Sequence, residues 1–182
     1  MELERKFCAL GTDVTVSDKM EISGYASLFG KADQGGDVVA SGAYDKSLGR
    51  NAAAGRNVKM LWQHDPAEPI GVWDEVRADE KGLWVKGRLL PDVARAREAA
   101  ALLSAGAIDG LSIGYRTVKA RKDDTGQRHL SELELWEVSL VTFPMLPDAR
   151  VGSKGGAPTD DGLRDLADML QEARKLILPS LT

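Results

Sequence analysis

A chain of 182 residues is long enough for one domain with a real core and a small appendage. Its 43% hydrophobic content excludes a disordered chain, and a net charge of −4 without a long basic run makes nucleic acid a poor partner. The single cysteine, Cys8, excludes an intramolecular disulfide and fits a reducing compartment, while the lack of a long apolar run and the charged N-terminus predict neither a membrane span nor a signal peptide.

In chain order, Ala9 to Val16 and Glu21 to Phe29 read as strands, the second with Gly24 and Ala26 for close packing. A Gly35-Gly36 loop follows. Ala43 to Leu48 reads as a short helix ending at Gly49, and Asn51 to Arg56 as a small-residue loop. Asn57 to His64 alternates, with Val58, Met60, Trp62 and His64 on one face. Ile70–Ala78 and Leu83–Leu90 form a predicted hairpin around Asp79-Glu80-Lys81-Gly82, with Trp73 and Trp84 able to meet across it. Asp92 near an N-cap opens an Ala-rich helix from Val93 to Ser104, which Gly106 closes.

Leu111 to Arg121 and Arg128 to Phe143 read as two long strands joined by the Asp123–Gly126 turn. Pro144 and Pro147 end the regular structure. Residues 151–162 have linker composition, and Leu163, Leu166, Ala167, Leu170, Ala173 and Ile177 mark an amphipathic helix over 163–182. The expected fold is mainly β with flanking helices (α+β), a barrel or compact sheet over residues 1–150 plus the C-terminal helix.

Three residues carry candidate chemistry. His64 closes an apolar strand at a corner near solvent, a place suited to a base; a half-buried histidine packing on Trp62 is the plain alternative. Ser112 lies in Gly110-Leu-Ser-Ile-Gly114, a G-x-S-x-G pattern. No helix follows it and the better histidine precedes it, so this is not an α/β-hydrolase elbow, although glycine neighbours leave a serine Oγ open to attack. A serine at a tight helix-to-strand transition is the alternative. Glu137 shares its parity with Leu133, Leu135, Ser139, Val141 and Phe143 and is the only charge on that apolar face. It needs a partner, either a catalytic histidine or a structural arginine such as Arg116. Glu132 and Glu134, on the other parity, read as solvated. His129 reads as exposed, Asp65 as capping the Pro66 turn, and Cys8 as a poor nucleophile. One cysteine and two distant histidines offer no zinc site, and no cofactor is expected.

The order of motifs resembles the prohead (capsid maturation) serine proteases of tailed bacteriophages, distantly similar to herpesvirus assembly proteases. It rests on Ile22-Ser-Gly-Tyr-Ala-Ser-Leu-Phe29, Gly36-Asp-Val-Val-Ala-Ser-Gly-Ala-Tyr44, Leu61-Trp-Gln-His-Asp65, Pro69-Ile-Gly71, Gly110-Leu-Ser-Ile-Gly-Tyr115 and Glu134-Leu-Trp-Glu-Val-Ser-Leu-Val-Thr-Phe-Pro144. The resemblance implies a Ser112 nucleophile and a His64 base. Its phage motif offers Glu137 as the third member; the herpesvirus relatives use a second histidine, which would turn attention to His129. It also implies a closed barrel of about seven strands wrapped by helices. The implied setting is the assembling procapsid in the host cytoplasm. The implied substrates are the major capsid protein or its scaffold segment and the chain itself, with self-association possible. Two other functions fit the residues alone. One is a non-catalytic assembly module; the other is a small-molecule esterase or amidase, which would need a deep apolar pocket.

Overall fold

The computed structural model describes the strands at residues 4–8 and 15–16, and residues 20–33 and 35–143. The expected linker and C-terminal helix, and most of the Ala9–Val16 strand, lie outside these residues.

The elements are β1 (Glu4–Cys8), β2 (Thr15–Val16), β3 (Glu21–Leu28), β4 (Asp37–Val39), α1 (Asp45–Ala53), β5 (Lys59–Trp62), β6 (Asp65–Ala78), β7 (Gly82–Leu89), α2 (Ala94–Ser104), β8 (Gly110–Lys122) and β9 (Arg128–Val141). They make one nine-stranded sheet in the order β1-β8-β9-β5-β6-β7-β3-β2, with β4 beside β9. The sheet is an open, curled half-barrel, which corrects the expected closed barrel of about seven strands. Bulges after Tyr25, Trp73 and Gly114 curl it. Its end strands, β1 and β2, have five and two residues, and no ladder joins them among the described residues.

β4 and β5 run parallel to β9 along one edge, opposite Arg128–Leu130 and Glu137–Leu140. The segment leading through α1 fills the gap between them. There the Leu133 N–H donates to the Ala43 carbonyl and the Leu135 N–H donates to the buried Ser47 Oγ. Buried backbone donors need such partners. α1 therefore continues past Gly49 to Ala53 instead of stopping there. Gly49 costs helix propensity of about 1 kcal/mol, which the anchorage of Ser47 offsets.

The predicted β6–β7 hairpin is present, but its tryptophans do not meet. The bulge after Trp73 changes the parity, so Trp73 faces Gly87 and Trp84 faces Arg77. Trp84 instead sets its edge against Tyr25, with ring centroids 5.0 Å apart. Trp73 is buried and donates its Nε1–H to the Val138 carbonyl at 3.2 Å. The N-cap of α2 is Val93, with no side-chain cap bond, where Asp92 was expected; Gly106, at φ +69°, follows its end as predicted. The core runs under the sheet through Ile22, Ile70, Leu83, Leu111, Ile113 and Leu130, all fully buried.

Candidate active site

Ser112 sits in the buried half of β8, directly opposite Ser139 of β9. Two residues on, Gly114 pairs with Glu137. A Cβ at Gly114 would lie 2.0 Å from Glu137 Oε1. The second glycine of the G-x-S-x-G pattern therefore makes room for a carboxylate, with no sharp turn involved. Trp136 is the extra residue of the bulge there. It points outward, 48% exposed, while Leu135 and Glu137 on either side stay buried.

His64 is not on the strand face that its alternation suggests. β5 ends at Trp62, which pairs with Asp65, so Gln63 and His64 form a two-residue hairpin loop. Both have positive φ, 52° and 61°. This is the dihedral signature of a type I′ turn, which usually uses Asn-Gly. Holding two side-chain-bearing residues in that region costs of order 1–3 kcal/mol each. Bonds to the end of β9 hold the turn. The Gln63 N–H donates to the Leu140 carbonyl at 2.9 Å, the Gln63 Nε2 to Thr142 Oγ1 at 2.6 Å, and the His64 N–H to Ser139 Oγ at 3.2 Å.

The strained turn aims the imidazole between the other two candidates. His64 Nε2 lies 2.7 Å from Ser112 Oγ, and Nδ1 lies 2.6 Å from Glu137 Oε1. Ser112, His64 and Glu137 are 0%, 4% and 3% exposed. The second carboxylate oxygen, Oε2, accepts a hydrogen bond from Ser139 Oγ at 2.5 Å. A buried carboxylate is tolerated where donors saturate it. An ionised Glu137 only accepts, so Nδ1 carries the proton and Nε2 is left to accept from Ser112. This arrangement can draw a proton from a hydroxyl nucleophile and steady the imidazolium that forms.

Ser139 is the residue that sequence reasoning missed. It orients Glu137 through its hydroxyl hydrogen and the His64 turn through its lone pair. The available signal was its place two residues after Glu137 on the same apolar face.

The other candidates lie elsewhere. Arg116 does not touch Glu137; its guanidinium holds Glu134, with Nε 2.8 Å from Oε2. His129 bonds Asp123 at 2.9 Å, and it lies eight residues from Glu137 along β9, about 26 Å at strand rise. Hydrogen bonds from Thr125 and then His129 hold the Asp123 carboxyl well below the ordinary range. Asp65 caps its turn as expected, accepting from the Ala67 N–H at 2.8 Å. Glu132 is not solvated: it is 9% exposed and paired to Lys46 at 3.0 Å and Lys119 at 3.4 Å. The Lys46 hydrogen bond outweighs desolvation and keeps its carboxyl below the usual value. The Cys8 side chain lies outside the described residues. Among the described residues there is no group of three or more His, Cys, Asp or Glu able to hold a metal ion, and no helix long and apolar enough to cross a membrane. Neither of two surface hollows, about 770 Å³ at the β8–β9 turn and about 440 Å³ beside Trp136, is lined by Ser112, His64 or Glu137.

Known proteins share both the sequence and the fold. The prohead protease of Enterobacteria phage HK97 is 32% identical over 156 residues, covering 82% of this chain and 67% of that one. A capsid polyprotein of Pseudomonas phage PAJU2 is 30% identical over 163 residues, 84% of this chain but only 23% of the polyprotein. The bacteriophage T4 capsid assembly protease has a similar fold, with a TM-score of 0.63 at 14% identity over 79% of this chain and 98% of that one. Residues 11–160 match the caudovirus prohead serine proteases, and to that family of serine proteases the chain belongs.

Proposed function

We propose that this protease cleaves segments of the major capsid protein or its scaffold, and itself, during maturation of a phage procapsid, through an acyl-enzyme on Ser112. The observation that carries this is the unbroken buried line from Ser112 Oγ through both nitrogens of His64 to Glu137, with contacts of 2.7 and 2.6 Å. Ser112 Oγ attacks the scissile carbonyl while His64 Nε2 takes its proton. The tetrahedral intermediate collapses as that proton passes to the leaving amine. Water then enters by the same route in reverse and frees the acid and Ser112. Glu137 holds the tautomer and balances the imidazolium charge; the position of His129 argues against a serine–histidine–histidine alternative. Arg116 is engaged by Glu134, which favours backbone N–H groups as oxyanion donors, typically about 3–4 kcal/mol each.

The relatives support the substrate class, since one is a prohead protease and another is a capsid polyprotein. The place of action that follows is the assembling procapsid in the host cytoplasm. Co-expression with the phage's own capsid protein, read by mass spectrometry, tests the proposal. Wild type should yield discrete fragments, whereas Ser112→Ala and His64→Ala should yield none. Glu137→Gln should lower kcat by about 10³–10⁴, as in serine protease triads. Capsid cleavage by Ser112→Ala at the wild-type rate would overturn the mechanism.

A further inference from the structure

A nucleophile must meet its substrate, yet Ser112 has no exposed surface. Two strands flank it in the sheet. On one side is the long, interior β9, which carries Glu137 and cannot leave without dismantling the site. On the other is β1, five residues long, at the end of the strand order. β1 runs antiparallel to β8, with Phe7 opposite Ser112, Cys8 opposite Leu111, and Lys6, Arg5 and Glu4 opposite Ile113, Gly114 and Tyr115. The family match begins at residue 11, so β1 lies outside the stretch that match covers.

From these observations we infer that β1 occupies the substrate's seat. The outer edge of β8 from Leu111 to Tyr115 receives an extended peptide by antiparallel strand addition, and β1 is the intramolecular occupant that this peptide must displace. The inference rests on the proposed Ser112 chemistry. An exposed strand edge offers N–H and C=O groups that bind any extended main chain, whatever its side chains. A peptide laid there passes Ser112 at one interstrand spacing, about 4.8 Å. A five-residue strand at the end of a sheet's strand order is among the elements that open most readily. Competition sets the condition for activity. A tethered strand acts at an effective concentration of order millimolar, so dilute peptide competes poorly, whereas substrate crowded at high local density competes well.

The register supplies its own test. Cys8 is the chain's only cysteine and lies opposite Leu111. Antiparallel partners have Cα atoms about 4.5–5.5 Å apart, within the range a disulfide spans. In full-length Leu111→Cys, oxidation should lock β1 in place. Reaction of Ser112 with a fluorophosphonate, followed by mass spectrometry, should then run at least ~10-fold slower than in the same protein after reduction. The double variant Arg5→Pro/Lys6→Pro breaks the β1 ladder from the other direction, because one of two adjacent N–H groups must face β8. It should label at least ~5-fold faster than wild type. Equal rates for crosslinked and reduced Leu111→Cys would overturn the inference and leave the Ser112 chemistry standing. Failure of Cys8 to form a disulfide with the introduced thiol under oxidation would overturn the placement of β1. If folded wild type and the double proline variant both resist labelling, Ser112 is not the nucleophile, and the function proposed above falls with the inference.

Discussion

The substitution Gly114→Ala should separate catalysis from stability. The new Cβ would lie 2.0 Å from Glu137 Oε1, 2.7 Å from Cδ and 2.8 Å from Cγ. An ordinary contact starts near 3.4 Å, so Oε1 must retreat by about 1.4 Å. Its bond to His64 Nδ1 is 2.6 Å long and buried, and a hydrogen bond stretched much past about 3.2 Å is largely lost. The atoms in the way belong to the end of one flexible side chain, so overpacking should cost only about 1–3 kcal/mol of stability. The imidazole loses the group that fixes its tautomer, and kcat should fall by about 10³–10⁴, equivalent to 4–5.5 kcal/mol of barrier. Gly82→Ala and Gly87→Ala make the contrast. Their Cβ atoms would meet the Ser27 and Val72 carbonyls at 2.0 and 2.2 Å, which is backbone and cannot swing aside. Those variants should lose folding. Steady-state kinetics on a peptide spanning a mapped cleavage site, alongside thermal melts, decides the matter. A folded Gly114→Ala enzyme with kcat within about threefold of wild type would refute the link from Gly114 through Glu137 to catalysis.

Ser139→Ala removes the donor to Glu137 Oε2 and the acceptor of the His64 N–H. A buried hydrogen bond to a charged group contributes about 1.5–3 kcal/mol, so kcat should fall about 10- to 100-fold with KM little changed, and an unchanged kcat would remove Ser139 from the positioning of the site. Acid stability offers a separate check. The Asp123 carboxyl is held low by Thr125 and His129. Burial raises the Asp79 carboxyl, but Tyr25, the Lys81 and Gly82 N–H groups and Arg77 together bring it below its ordinary value. A depressed carboxylate contributes stability that is complete above its unfolded value, near 3.9, and is lost as pH falls through its folded value. Asp123→Asn should therefore lower Tm at neutral pH and flatten its decline below about pH 4; parallel Tm curves for variant and wild type would contradict this. His129→Ala should share that stability phenotype and leave kcat unchanged, because its partner is Asp123 at the β8–β9 turn.

What could be read from the sequence depended on how far each feature reaches along the chain. Glu137 stood out because a strand's period of two is local, and a lone charge on an apolar face needs no knowledge of the fold. The long β8–β9 hairpin was legible for the same reason, with its turn marked by Asp123 and Gly126. His64 was found as a residue but misplaced as a conformation. Gln63-His64 has none of the glycine or asparagine that announces a type I′ turn, because the turn is imposed from outside by Ser139 and Leu140 on β9 and by Thr142 just past its end. Gly49 reads locally as a helix stop, yet α1 continues through it, since the buried Ser47 is tied to a strand 88 residues away. The barrel's failure to close was equally invisible, because which edges meet depends on bulges and end strands and on no single segment's pattern.

The G-x-S-x-G stretch shows the limit most plainly. The pattern drew attention to Ser112, but the physics usually attached to it, a sharp turn that exposes the serine, is absent. Ser112 lies within β8, two residues past its start, and is buried, and Gly114 is small because Glu137 arrives from the neighbouring strand. A motif identifies residues whose chemistry is constrained; only the partner strand reveals what constrains them. This also explains why Ser139 escaped notice. A serine on an apolar strand face, flanked in sequence by Val138 and Leu140, is indistinguishable from small-residue packing until the carboxylate and the turn it bonds are brought together.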